Sequence, residues 1–192
     1  MQTLHTSRLF VAVPLDHYIK SVLHTLSGEL QNMWPFRKWV HPADYHITLQ
    51  FLGACTFEQA QSVKTELKKA AAGCRAFTLK LDRLGAFGKP QQPRILWAGV
   101  NGEADALRCL QTRVATALQP LGFEPGDKPY RPHITLARNY LERNFPGNRR
   151  LEGMFAPENA DYTWHVKEIV LYRTNMKQTP MYQPLSLFAL NG

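Results

Sequence analysis

Apolar residues recur along this chain with two different periods, and the alternation between them predicts the order of elements. "RLFVAV" (Arg8 to Val13) is a short β-rich run that ends at Pro14. The next stretch, "LDHYIKSVLHTLSGEL", sets Ile19, Val22, Leu23, Leu26 and Leu30 at helical spacing. A linker holding Pro35 and Pro42 leads to "HITLQFLG", read as a strand that stops at Gly53. Thr56, with Gln59 three places on, has the pattern of a capping box and predicts a helix that runs to Gly73. "AFTLKLDRLGAF" alternates, with Phe77, Leu79 and Leu81 on one face, and "RILWAGV" (Arg94 to Val100) comes after a loop rich in glycine, proline and glutamine.

The second half repeats the same scheme. "EADALRCLQTRVATALQPLG" puts Leu107, Leu110, Val114, Leu118 and Leu121 on one helical stripe that ends at Gly122. The turn-rich "FEPGDKPYRP" then delivers a second "HITL". From Asn139 to Asp161 the chain is polar and broken by Pro146, Gly147, Gly153 and Pro157, which predicts a long loop with a short helix in it. "HVKEIVLYRT" and "PLSLFAL" supply the closing strands. Helices and strands are mixed, and one helix precedes each "HITL", so the chain is α+β with two related lobes, although the halves share no identity outside that word.

If "HITL" is a strand, His46 and Thr48 face one side while Ile47 and Leu49 face the other. The second copy separates His133 and Thr135 from Ile134 and Leu136 in the same way. Gln50 extends the polar face of the first copy and Phe51 its apolar one. Each copy thus anchors an apolar pair in a core and presents an imidazole beside a hydroxyl. Two imidazoles can divide acid and base work at neutral pH, one accepting a proton while the other donates. The hydroxyls suit the non-bridging oxygens of a phosphate, and a guanidinium adds charge to its transition state. Arg138 stands just beyond the second copy. On an ideal strand it has the parity of Ile134 and Leu136 and points away from His133, so a cleft-facing Arg138 requires a strand end or a bulge near Ala137.

Composition narrows the choice. The 192 residues are 44% apolar and carry no span-length apolar run or signal-peptide pattern, so a cytoplasmic globular protein with no membrane association is expected. Lysine and arginine outnumber aspartate and glutamate by 23 to 15, a net charge of +8 that favours a polyanionic partner. Cys55, Cys74 and Cys109 fit neither a disulfide framework nor a zinc motif and read as buried or unreactive thiols. Metal binding is a poorer reading of the histidines, since only Asp44 stands near either as a further ligand. His5, His17, His24, His41 and His165 lack the repeated context and read as surface or structural. No Walker loop or serine elbow is present.

With paired H-x-T-x motifs, a first strand "RLFVAVPL", a first motif "YHITLQFLG", a middle strand "RILWAGV" and a second motif "RPHITLAR", the chain resembles the 2H phosphoesterase superfamily. Within it the likeness is to the LigT/ThpR-type RNA 2′,3′-cyclic phosphodiesterases, the 2′-5′ RNA ligase family, and it runs from about Arg8 to about Ala189. That resemblance implies a bilobal α+β fold, two pseudo-symmetric lobes with antiparallel sheets around a central cleft, in a single domain of interleaved lobes with one motif each. It also implies that His46 is the proton donor, His133 the proton acceptor, and Thr48, Thr135 and Arg138 the phosphate-binding residues. Arg94 and Trp97 match a basic and aromatic pair of the middle strand, with core packing the plain alternative for Trp97; Tyr130 and Arg131 are placed at the cleft mouth. The implied reaction opens an RNA 2′,3′-cyclic phosphate to a 2′-phosphomonoester with no metal or other cofactor. Reverse 2′-5′ ligation, tRNA fragments as substrate and a monomeric state belong to the same expectation. A 2H enzyme acting on a small cyclic nucleotide or a 2′-5′ linkage, and a non-catalytic RNA-end-binding module, stand as alternatives.

Overall fold

The computed structural model describes residues 6–155 and 161–192, so His5 and Pro157 lie outside the described residues. The elements in chain order are β1 (Ser7–Pro14), α1 (His17–Met33), β2 (Phe36–Trp39), β3 (His46–Cys55), α2 (Phe57–Ala72), β4 (Phe77–Lys89), β5 (Gln92–Gly102) and α3 (Ala104–Leu118). They continue with β6 (His133–Tyr140), α4 (Asn148–Glu152), β7 (Thr163–Val166), β8 (Glu168–Thr174) and β9 (Tyr182–Ala189). The helices begin where the sequence places them. Asp16 accepts from the Ile19 N–H at 2.8 Å, and the reciprocal box of α2 forms, Gln59 N to Thr56 Oγ1 at 3.2 Å and Thr56 N to Gln59 Oε1 at 2.9 Å. Ile19, Leu23, Leu26 and Leu30 of α1 and Leu107, Leu110, Val114 and Leu118 of α3 are buried, whereas Val22 and Leu121 only pack against the core.

Among the described residues, nine strands form one antiparallel sheet in the order β7-β4-β5-β6-β3-β1-β8-β9, with β2 also paired to β6. The two lobes are the two ends of this sheet. One holds β1, β3, β8 and β9, the other β2, β4, β5, β6 and β7. They meet between β3 and β6, where a single registered pair, Ile47 opposite Ile134, forms the seam. Both isoleucines are fully buried, and truncating either to alanine would remove about 2–5 kcal/mol of stability.

Several local departures from the sequence expectation have physical causes. The first motif's strand passes through Gly53, which takes a φ of 74° at a register shift against β1 and so bends the ladder without ending it. The loop between β4 and β5 narrows to a turn at Pro90 and Gln91, because Gly88 and Pro93 pair across the hairpin. β2 lies hidden in the proline-containing linker. "HVKEIVLYRT" is two strands: β7 pairs β4 in one lobe and β8 pairs β1 in the other, so the chain crosses lobes at Lys167. All three cysteines are free; Cys55 is buried, Cys74 half-buried and Cys109 exposed, so of the two expected alternatives full burial applies to Cys55 alone. No helix among the described residues is long and apolar enough to cross a membrane.

Candidate active site

Both histidines open strands at the seam, and both strands slip register at the same letter of the repeated word. Along β3, Ile47 faces Val13 and Thr48 faces Ala12, then Leu49 is passed over and Gln50 faces Val11. Along β6, Ile134 faces Ala98 and Thr135 faces Trp97, then Leu136 is passed over and Ala137 faces Leu96. Each leucine is the extra residue of a β-bulge, and each bulge reverses the alternation beyond it. Gln50 and Ala137 therefore turn into the core, where the Gln50 side chain donates to the Phe123 carbonyl at 2.9 Å. Phe51 and Arg138 turn to the face that carries His46, Thr48, His133 and Thr135. The expectation for Gln50 and Phe51 is thus reversed: Phe51 is 70% exposed, with its ring 6.0 Å from that of Phe10. Arg138 gains the orientation that simple alternation denied it, and its charge acts on both His46 and His133.

The two imidazoles are anchored alike. His46 donates from Nδ1 to the Asp44 carbonyl and His133 from Nδ1 to the Arg131 carbonyl, each at 2.7 Å. A protonated Nδ1 leaves Nε2 as the reactive nitrogen in both rings. His46 Nε2 lies 3.0 Å from the Thr48 hydroxyl. Aromatic rings wall both sites. Phe10 sits 4.9 Å from His46 and Tyr182 meets it edge-on at 5.1 Å, while Phe87 meets His133 edge-on at 5.0 Å. Burial lowers both histidines. It carries His46 down to about 4, against the upward pull of the Asp44 carbonyl and carboxylate and with further lowering by Arg138 and His133. Burial and Arg138 lower His133, the Arg131 carbonyl opposing them.

The remaining expected residues divide. Thr48 and Thr135 are half-buried on the histidine face. Trp97 also lies on it, 6.4 Å from His133 and 5.0 Å from Phe87, its indole laid over Gly85 where a Cβ would come within 2.2 Å of the ring. Arg94 falls at a further register shift between the Phe87–Ile95 and Gly88–Pro93 pairs, exposed near the hairpin turn and beyond Ile95, the partner of Arg138. Tyr130 is half-buried: its hydroxyl crosses the seam and donates to the Thr48 carbonyl at 3.1 Å, and burial pushes that hydroxyl's pKa up. Arg131 is exposed and serves His133 through its main chain. His17, His24, His41 and His165 are exposed or partly exposed, as expected of surface residues.

Several cleft residues escaped the sequence reading. Phe10, Tyr172 and Tyr182 converge on His46 from β1, β8 and β9, with Tyr172 stacked on Phe10 at 5.2 Å. Phe51 could be placed only by knowing the bulge. Asp44 was legible, since comparing the residues two places before each motif histidine sets an aspartate against Arg131. No cluster of three or more metal-ligating side chains occurs among the described residues.

Comparison with known proteins places the chain among relatives of similar sequence and fold. The family described as LigT like phosphoesterase matches residues 13–97 and 99–182. The chain is 40% identical over 192 residues to an RNA 2′,3′-cyclic phosphodiesterase of Geobacillus stearothermophilus, covering 97% of this chain and 58% of that relative's length. It is 33% identical to the protein of the same name from Thermus thermophilus, covering 96% of this chain and 91% of the relative. Among solved structures it is similar to E. coli LigT complexed with 3′-AMP, with a TM-score of 0.79 at 24% identity over 98% of this chain and 100% of that one. The TT0787 structure of Thermus thermophilus matches with a TM-score of 0.77 at 27% identity, covering 96% and 98% of the two chains.

Proposed function

The chain belongs to the LigT-like phosphoesterase family, and from that premise we propose that it hydrolyses RNA 2′,3′-cyclic phosphate ends to 2′-phosphomonoesters by two-histidine acid–base catalysis. The observation that supports this reading most is the pair of matching bulges, which gathers both histidines, both threonines and Arg138 on one face of the seam. His133, neutral at pH 7 because burial lowers it, takes a proton from water as the water oxygen bonds to phosphorus. Thr48, Thr135 and Arg138 hold the phosphoryl oxygens while negative charge builds on them. The bond from phosphorus to the 3′ oxygen breaks, and His46 Nε2 supplies that oxygen with a proton. Because burial strips His46 of its proton in the free protein, the substrate's phosphate anion has to restore it: an anion a few ångströms from the ring favours the imidazolium. In reverse 2′-5′ ligation a 5′-hydroxyl replaces the water.

The net charge of +8 suits a polyanion, and the exposed Phe51 ring at the edge of the cleft suits stacking of a base. These favour an RNA end, including the ends of tRNA fragments, over a cyclic mononucleotide. We read the chain as one domain of two interleaved lobes, acting as a monomer in the cytoplasm without a cofactor. The test is incubation with an oligoribonucleotide ending in 2′,3′-cyclic phosphate, in EDTA, with assignment of the product. A 2′-phosphate is expected. A 3′-phosphate, or no turnover with this RNA beside full turnover of a cyclic mononucleotide, overturns the reading.

A further inference from the structure

We propose that Asp44 is a positioning residue that fits the first histidine for its acid role, holding His46 through its main chain and placing a fixed negative charge beside the ring through its buried side chain. This role rests on the acid–base reading above and concerns what makes two identical motifs unequal. Each histidine is held by the carbonyl two residues before it, with the same 2.7 Å bond. The side chains on those two carbonyls are opposite. Arg131 is exposed, whereas Asp44 is 5% exposed and is the sole ionisable carboxyl or basic side chain among the buried described residues.

A carboxylate is not buried without partners, and those of Asp44 are specific. Its two oxygens accept the main-chain N–H groups of Met181 at 2.9 Å and Tyr182 at 3.0 Å, across the mouth of β9. One residue thus ties together the turn that carries His46 and the strand end that carries Tyr182, whose ring stands edge-on against that imidazole. The groups facing His46 are Phe10 from β1, His133 and Arg138 from β6, Tyr172 from β8 and Tyr182 from β9. Lys20 of α1 adds a positive charge near Asp44 and donates to the neighbouring Ala43 carbonyl at 3.1 Å. His133 and Arg138 oppose protonation of His46, and the carboxylate of Asp44 is the anionic group that favours it. Without it, only the Asp44 carbonyl and the substrate phosphate would favour return of the proton.

Removing the Asp44 charge lowers the His46 pKa, so the alkaline limb of the pH–rate profile, where the general acid loses its proton, moves to lower pH. On that limb the rate falls about tenfold for every pH unit by which the limb is displaced. Asp44→Asn and the smaller Asp44→Ser are each compared with the wild type in two readouts: His46 ring titration by NMR, and kcat and KM against pH on the cyclic-phosphate oligonucleotide. The expected result is a lowered His46 titration with a matching displacement of the limb and little change in KM. A uniform loss of rate at every pH with an unmoved His46 titration would make Asp44 merely structural and overturn the proposal. If the wild type itself fails to turn over the RNA, it is the proposed function that fails; wild-type turnover with unmoved profiles in both variants defeats the role of Asp44 alone.

Discussion

The two copies of "HITL" have the same architecture and different company. In each, the isoleucine closes the seam, the leucine is the bulged residue, and the histidine is locked by the carbonyl two residues back. Beyond the bulge the copies differ: Phe51 occupies in the first lobe the place that Arg138 occupies in the second. Ahead of the histidine they differ too, Asp44 against Arg131. The repeat fixes where the two imidazoles stand, and the proposed difference in their roles rests on the non-repeated neighbours. Arg138 supplies positive charge near both rings, Asp44 supplies negative charge near one, and Phe51 offers an apolar surface where no second guanidinium is needed.

The comparison breaks most severely if either imidazole is removed. His46→Ala and His133→Ala should each lower kcat by about a thousandfold, within the range for a lost general acid or base, with melting temperatures near wild type. Retained turnover in either would end the two-histidine account. Next in size, Arg138→Ala should cost about a hundredfold in kcat, comparable to removing one oxyanion donor, and Arg138→Lys should recover only part because a point charge replaces a planar fork. Exchanging the two post-bulge residues, Phe51→Arg with Arg138→Phe, asks whether the lobes are interchangeable; unchanged kcat in that double variant would show that the asymmetry is incidental. Phe51→Ala should raise KM for the oligonucleotide about tenfold, equivalent to the ~1–3 kcal/mol of a stacked base, with little effect on kcat. The smallest effect belongs to the seam. Tyr130→Phe removes one hydrogen bond to the Thr48 carbonyl and should cost about 1 kcal/mol of stability by chemical denaturation, without displacing the alkaline limb that reports His46.

The elements with a strong local signal were legible in the sequence. The capping box at Thr56, the helical stripes of α1 and α3, and the alternation of β4 depend on neighbours a few positions away. The paired motif likewise singled out both histidines and both threonines, which the structure brings to one face. Long-range register could not be read. A bulge is a statement about the partner strand, and nothing within "HITLQF" or "HITLAR" says that Leu49 and Leu136 will be passed over, so the alternation puts Gln50 and Phe51 on the wrong faces and leaves Arg138 ambiguous. The same holds for Lys167, where one continuous apolar run is divided between two lobes by pairing with β4 and β1. The bond from Tyr130 to the Thr48 carbonyl is likewise invisible in the sequence, because the two residues are distant along the chain.

In the proposed mechanism the lobes divide the proton work, the first donating and the second accepting. A cyclic-phosphate RNA end whose 3′ bridging oxygen is replaced by sulfur tests this most directly, because a thiolate leaves without needing a proton. Turnover of this substrate by His46→Ala should approach that of the wild type, while His133→Ala remains inactive. Equal losses in the two variants, or recovery in His133→Ala instead, would contradict the division of roles.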